Sequence, residues 1–303
     1  MMLWDFRAAA LSEEMMDHFG FPRDIIPPSV PTFGVQGLVC AAAARELGLP
    51  AGIPVAYRAG DQPNNALSLA VLDPGQVAAT AGTSGVVYGI GAPGTQSSCL
   101  QINTFLHVNG TLGLMHCING CGILNAWMHR MVAPDMSYDD INRLAATVPI
   151  GSNGLSIIPF GNGAERVLLN SNPGCSLHGI DLNRHGQAHL LRAAQEGVAF
   201  AFIYGMEFMG PMTTIHAGRA NMFLSPVFRH TLAGVSGAAI ELYDTDGAVG
   251  AARGAGLGAG IYASADEAFA SLTRLHTEEP ADSGAYAEAY ARWKKTLAKE
   301  LSQ

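Results

Sequence analysis

The residues best suited to chemistry lie in two short stretches, Ala59-Gly60-Asp61-Gln62-Pro63-Asn64-Asn65 and Ala79-Thr80-Ala81-Gly82-Thr83-Ser84-Gly85. An apolar run, Ile53 to Tyr57, leads through Arg58 into the first stretch and presents one carboxylate, Asp61. An open α/β sheet exposes catalytic groups at such strand ends. Gln76 to Ala81 reads as a second buried strand that breaks into small hydroxyl and glycine residues. Gly82, Thr83 and Ser84 could curl so that their N–H groups converge on an anion, because glycine tolerates the φ values a nest needs. A carboxylate base close to an anion cradle suggests phosphoryl transfer to a hydroxyl. Two blander readings stay open: a Gly-Asp after a strand is commonly a turn, and Gly-Thr-Ser-Gly a tight hairpin connection. No G-x-x-x-x-G-K-[ST] occurs, which argues against a P-loop NTPase.

The elements that must position these residues are readable in outline. Met2 to Phe6 is strand-like, Ser12-Glu13-Glu14 starts a helix with Ser12 as N-cap, and Pro27-Pro28 marks a loop. Gln36 to Leu47 predicts a helix ended by Gly48 and Pro50. Val86 to Ile90 is a strand and Gly91 to Ser98 a polar loop; Leu100–Val108 and Leu112–His116 form a hairpin around Asn109-Gly110. Helices follow through Trp127 to Met131 and after Ser137, and Gly154 to Pro159 is a buried strand. Val198, Phe202, Met206 and Met209 mark one buried helix face. Gly247 to Tyr262 predicts a helix too tightly packed for larger side chains, and Tyr286 to Leu301 a charged, solvated terminal helix.

At 303 residues the chain can bury a substantial core. Its net charge of −8, without a Lys/Arg run, argues against a nucleic-acid partner. Five cysteines are too few and scattered for a disulfide framework and fit a reducing cytoplasm. His116, Cys117 and Cys121 could be imagined as zinc ligands, but no matching pair accompanies them, so unliganded thiols are expected and no metal residue is assigned. No basic-then-apolar leader and no run of 18 apolar residues occurs, so the chain is expected to be soluble, unexported and without a membrane partner.

The string from Ala59 to Tyr88 resembles the segment of the FGGY carbohydrate kinases that carries the catalytic aspartate and second phosphate motif. The resemblance extends back through a tryptophan-containing strand, a Ser-Glu-Glu helix, a Pro-Pro turn and Gly48-Leu49-Pro50-Ala51-Gly52-Ile53-Pro54-Val55. It extends forward through Pro159 to Arg166, taken as a structural loop, and through Leu177-His178-Gly179-Ile180 and His189 to Phe200. Within that second signature Cys175 and Gln195 depart from a small and an apolar residue. Thr213 to Asn221 matches the strand and glycine-rich adenosine loop, with Ala217 and Arg219 as departures. The similarity is greatest to xylulokinase-type sequences.

The resemblance implies an α/β, ribonuclease-H-like domain of the actin/hexokinase superfamily with a partial second domain of the same type. Residues 1–74 would close the sugar-binding domain and 75–303 form the nucleotide-binding domain. It implies a pentulose kinase using ATP and Mg²⁺, with Asp61 as base and Gln62 touching sugar. Gly82, Thr83 and Ser84 would hold the β- and γ-phosphates. Gly122 would lie against the phosphates, although close helix packing explains it equally well. Gly218 would permit close approach of the adenosine, and Asn221 would contact it. The family's first phosphate motif, Asp-x-Gly-Thr-x-Ser, is absent from this chain. A truncated or split kinase is therefore expected, partnered by an N-terminal half or a second copy. A glycerol kinase relative and a non-catalytic binding module are the competing readings.

Overall fold

The computed structural model describes residues 3–91 and 99–302. Met1 and Met2 of the strand-like opening, and 92–98 of the loop expected after Ile90, lie outside the described residues. The opening reduces to β1 (Trp4–Asp5), paired antiparallel with β2 (Ala10–Leu11). Helix α1 (Glu13–His18) starts on Ser12, whose Oγ accepts the Met15 N–H at 3.3 Å. Strands β3 (Phe33–Leu38) and β4 (Pro54–Tyr57) pair antiparallel, with α2 (Ala41–Leu47) between them in sequence. The helix expected from Gln36 thus begins later: Gln36 lies in β3, and its Nε2 donates to the Pro31 carbonyl at 2.8 Å. Alanine propensity decides the second half of that segment, and pairing with β4 overrides it in the first.

Helix α3 (Asp61–Ser68) leads to β5 (Gln76–Ala81), β6 (Gly85–Ile90), β7 (Asn103–Leu106) and β8 (Leu112–Ile118). The Asn109 Oδ1 accepts from the Thr111 N–H at 3.1 Å and shapes the β7–β8 turn, as Asn-Gly predicts. Helix α4 (Gly122–Val132) is followed by α5 (Tyr138–Ala146), whose Asp140 N–H donates to Ser137 Oγ at 3.2 Å. Strands β9 (Ser156–Phe160) and β10 (Gly174–His178) form a separate antiparallel pair before α6 (Gln187–Met206). Then come β11 (Thr214–Gly218), α7 (Pro226–Ser236), β12 (Ala239–Tyr243) and α8 (Gly247–Gly258). Helix α9 (Ala265–Phe269), β13 (Arg274–Glu278) and α10 (Ser283–Glu300) complete the chain.

The main sheet has seven strands in the order β13-β12-β11-β5-β6-β8-β7. β5, β6 and β8 are antiparallel neighbours; β11 then joins parallel to β5, and β12 parallel to β11. Three antiparallel strands extended by two parallel ones is the ribonuclease-H-like layout. Parallel neighbours need long crossovers, which α6 and α7 supply. The carboxyl ends of β5, β11 and β12 consequently share one edge, where a ligand crevice belongs.

The core lies on α6: Val198, Phe202 and Met206 are buried, and Met209, just past the helix end, packs against the same cluster. Helix α8 lies against α3 and β4 so closely that a Cβ on Gly258 would sit 1.8 Å from the Ala56 carbonyl oxygen. The solvated terminal helix is a correction. α10 buries Tyr286, Ala289, Tyr290, Trp293 and Leu297, and the Trp293 indole N–H donates to the Ile157 carbonyl at 2.8 Å. Trp293 stands against Phe160 and Phe200, inside the main cluster. Trp293→Ala is expected to destabilise the fold by about 3–5 kcal/mol, since it leaves both a large cavity and an unpaired carbonyl. Urea unfolding measures this; a loss below about 1 kcal/mol would make α10 peripheral after all.

Candidate active site

Asp61 is the first residue of α3 and is exposed, at the helix end where negative charge is favourable. Its Oδ1 accepts the Gln62 N–H at 2.8 Å, and Oδ2 lies 3.4 Å from the Gln62 amide nitrogen. The Pro63 ring is buried behind them, and Asn64 Nδ2 donates to the Gly247 carbonyl at 2.9 Å. This bond fixes the start of α3 against the start of α8, which follows the carboxyl end of β12. Gly218, closing β11, faces the same loop: a Cβ built on it would lie 3.6 Å from the Thr245 carbonyl oxygen. The Asp61 carboxyl therefore stands at the carboxyl edge of the parallel strands, open to solvent.

Gly82, Thr83 and Ser84 form the turn between β5 and β6, with Ala81 paired to Gly85. The hairpin reading is thus correct for the backbone. None of these residues has the left-handed φ suggested for a nest. The turn is held differently: the Gly82 carbonyl accepts the Gly122 N–H at 2.8 Å and the Thr83 carbonyl accepts the Ile123 N–H at 3.3 Å. With the carbonyls turned to α4, the N–H groups of Gly82, Thr83 and Ser84 have no acceptor among the described residues. Thr83 and Ser84 are exposed, so these donors face water or a ligand.

The packing explanation of Gly122 has a direct measure, since its Cβ would fall 2.4 Å from the Gly82 carbonyl oxygen. Gly82 itself is sterically free: a Cβ there would meet Asn221 Nδ2 at 3.7 Å, an ordinary contact. Asn221 opens a 3-10 turn at φ 54°, a conformation asparagine tolerates.

Gly82, Thr83, Gly122 and Asn221 line one cleft of about 470 Å³. Ser84 and Gly218 lie beside it in sequence but are not part of its lining, and neither are Asp61 and Gln62. The cleft has further walls that sequence reading missed: Asn125 on α4, Tyr138, Asp139 and Asn142 on α5, and Leu224 and Ser225 ahead of α7. Behind it, buried Gln195 of α6 donates to Asn142 Oδ1 at 2.9 Å and accepts from the Ser225 hydroxyl at 2.7 Å. The only signal for these was a polar Gln195 where the family signature is apolar. A larger cleft of about 590 Å³, between α10 and the 3-10 turn Ser152–Gly154, contains none of the candidate residues.

His116, Cys117 and Cys121 are engaged in packing. His116 Nε2 lies 3.3 Å from the Ala201 carbonyl oxygen, and Cys117 Sγ 3.6 Å from Asn119 Oδ1. Burial pushes both thiols up to about 12, which disfavours the thiolate a metal requires.

No family model matches the chain. The autoinducer-2 kinase of Escherichia coli is 26% identical over 310 aligned positions, covering 95% of this chain and 58% of that protein. The xylulose kinase of Bacillus subtilis is 26% identical over 197 positions, 65% of this chain and 39% of its own length. Among solved structures, a xylulose kinase from Rhodospirillum rubrum superposes with a TM-score of 0.86 at 25% identity, covering 99% of this chain and 63% of that one. The chain fits the FGGY carbohydrate kinases. The fold agreement is broader still: a xylulose kinase from Lactobacillus acidophilus gives a TM-score of 0.90 at 17% identity. The chain has the actin/hexokinase-like fold, and the relatives it is similar to are carbohydrate kinases. It spans about three-fifths or less of the length of these relatives. Among the described residues no helix is long and apolar enough to cross a membrane.

Proposed function

We propose that this chain is the nucleotide-binding and base-bearing part of an ATP-dependent sugar kinase that phosphorylates a hydroxyl of a pentulose such as xylulose. What supports the proposal is a β5–β6 turn whose backbone donors have no acceptor among the described residues, in a chain that also exposes a carboxylate at the start of α3. Asp61 takes the proton from the attacking hydroxyl, and Gln62 orients the sugar. The Gly82–Ser84 donors bind the terminal phosphates, with Gly122 as the packing partner that aims them. Asn221 and Gly218 flank the adenosine. In this reading 1–74 close the sugar domain and 75–303 form the nucleotide domain.

Loss of charge repulsion is the chemistry Mg²⁺ supplies when bound. Among the described residues no group of three or more His, Cys, Asp or Glu side chains is placed to hold a metal. With Asp-x-Gly-Thr-x-Ser absent, full turnover requires a segment bearing that motif, which a separate N-terminal half would supply and a second copy of this chain would not. Phe19, Ile25, Val35 and Leu38, all more than half exposed, offer such a segment apolar surface.

An ADP-release assay with ATP, Mg²⁺ and a panel of pentuloses and polyols tests the reaction, with and without that segment. Preference for glycerol would favour the glycerol kinase reading. Absence of Mg²⁺-dependent ATP heat in calorimetry would favour a binding module. Gly82→Ala supplies a local check. It is expected to leave stability within about 0.5 kcal/mol, because the new methyl makes only ordinary contacts. It should still weaken ATP binding about tenfold by intruding on the backbone's approach to phosphate.

A further inference from the structure

Gln195 is 1% exposed on α6, between the buried Arg192–Glu196 ion pair and the apolar residues of the core, at a position where a hydrocarbon side chain would pack without needing partners. Its two polar atoms are both used: Nε2 on Asn142 Oδ1 at 2.9 Å, and Oε1 on the Ser225 hydroxyl at 2.7 Å. The direction of this relay is set at Ser225. Its oxygen already accepts the Phe228 N–H at 3.3 Å as the cap of α7, so its own buried O–H needs an acceptor, which is Gln195 Oε1. Turning the Gln195 amide over would strand that proton. Gln195 therefore offers N–H to Asn142, and Asn142 must answer with its carbonyl oxygen. The Asn142 amino group is left without a partner among the described residues, on a side chain that lines the cleft.

We propose that Gln195 is a positioning residue for nucleobase recognition: it holds Asn142 with its amino group as a fixed donor to a ring-nitrogen acceptor of a purine nucleotide. The proposal rests on the nucleotide reading of the cleft. Phosphates go to the unpaired donors of the Gly82–Ser84 turn, and the base goes to the wall built from Tyr138, Asn142 and Leu224, where apolar and aromatic surface is available. A donor aimed in advance avoids the ordering cost that a free asparagine would meet on binding.

The test is calorimetry on the full chain with ATP and with three ATP analogues, each having one purine ring nitrogen replaced by carbon. The wild type should bind one analogue about three- to tenfold more weakly than ATP, the value of one neutral hydrogen bond. N142D keeps an oxygen for Gln195 to donate to and removes the cleft donor; its added negative charge should weaken all four ligands alike, and the discrimination among them should be lost. Q195M should lose it as well, because Asn142 is then unaligned. A general loss of structure would weaken all four ligands alike, leaving the ratio between them unchanged. Wild type that binds ATP but discriminates against no analogue, or N142D that retains the discrimination, overturns the inference and leaves the nucleotide reading standing. Wild type that binds none of the four overturns both.

Discussion

Asp61→Asn is expected to lower phosphoryl transfer by roughly 10²–10⁴-fold, the range for loss of a positioned general base. The substitution is conservative in space: the amide oxygen it introduces could still accept the Gln62 N–H that Asp61 Oδ1 accepts at 2.8 Å. The side chain is exposed and makes no long-range bond among the described residues, so the thermal midpoint should not move appreciably. ATP affinity should also be unchanged, because Asp61 is not part of the cleft lining. The pattern sought is a fall in kcat with nucleotide KM preserved, in an assay that includes the segment bearing the first phosphate motif. A variant that turns over at the wild-type rate would remove the base from this reading. One that loses ATP binding would mean that the carboxylate serves the nucleotide instead.

The second large effect is on stability in acid. His107 and His116 are each 1% exposed, and burial lowers both to about 4 from an ordinary value of 6.5. Both are neutral in the folded chain at pH 5, whereas the unfolded chain binds a proton on each. Unfolding below 6.5 therefore takes up protons, and stability falls as the pH drops from 6.5 towards 4. Each histidine contributes on the order of 3 kcal/mol to this loss once the pH is below the folded value. Glu196 acts in the opposite sense at pH values above its ordinary 4.5, since burial raises its carboxyl against the pull of Arg192, and so offsets part of the histidine loss. His116 cannot relieve the cost by moving, because its ring fills the space over Gly205, where a Cβ would lie 1.9 Å from it. Urea unfolding at pH 7, 6, 5 and 4.5 should show a steady decline, and proton uptake of about two per chain near pH 5. Stability that is flat from pH 7 to 5 would mean that neither ring is buried as described. His107→Gln should remove about half of the slope.

Several features were legible because their causes are local. Ser12 and Ser137 cap helices through bonds three residues long, and Asn109-Gly110 shapes its own turn. Gln76 to Ala81 reads as a strand, and is one, because its apolar run suits burial on both faces. The candidate residues were legible as residue types: an acid after a strand, and small hydroxyl and glycine residues after the next. Where local preference and distant pairing disagree, sequence reading fails. Gln36 looks helical beside its alanines yet lies in β3, because Phe33 and Gly37 on either side of it pair with β4. Tyr286 to Leu301 carries charges enough to look solvated, but its apolar stripe meets Phe160 and Phe200, residues more than 80 positions away.

The chain's order of residues determined the chemical inventory: one well-placed acid, one donor-rich turn, and no P-loop or first phosphate motif. Only the tertiary structure decided how the inventory is used. The turn's carbonyls are taken by α4, which leaves its N–H groups outward. Gln195, buried on α6, is joined to Asn142 and Ser225 across 53 and 30 residues. A hydrogen bond needs its partner within about 3 Å whatever the distance along the chain. Partners brought together only by folding leave no pattern in the linear sequence.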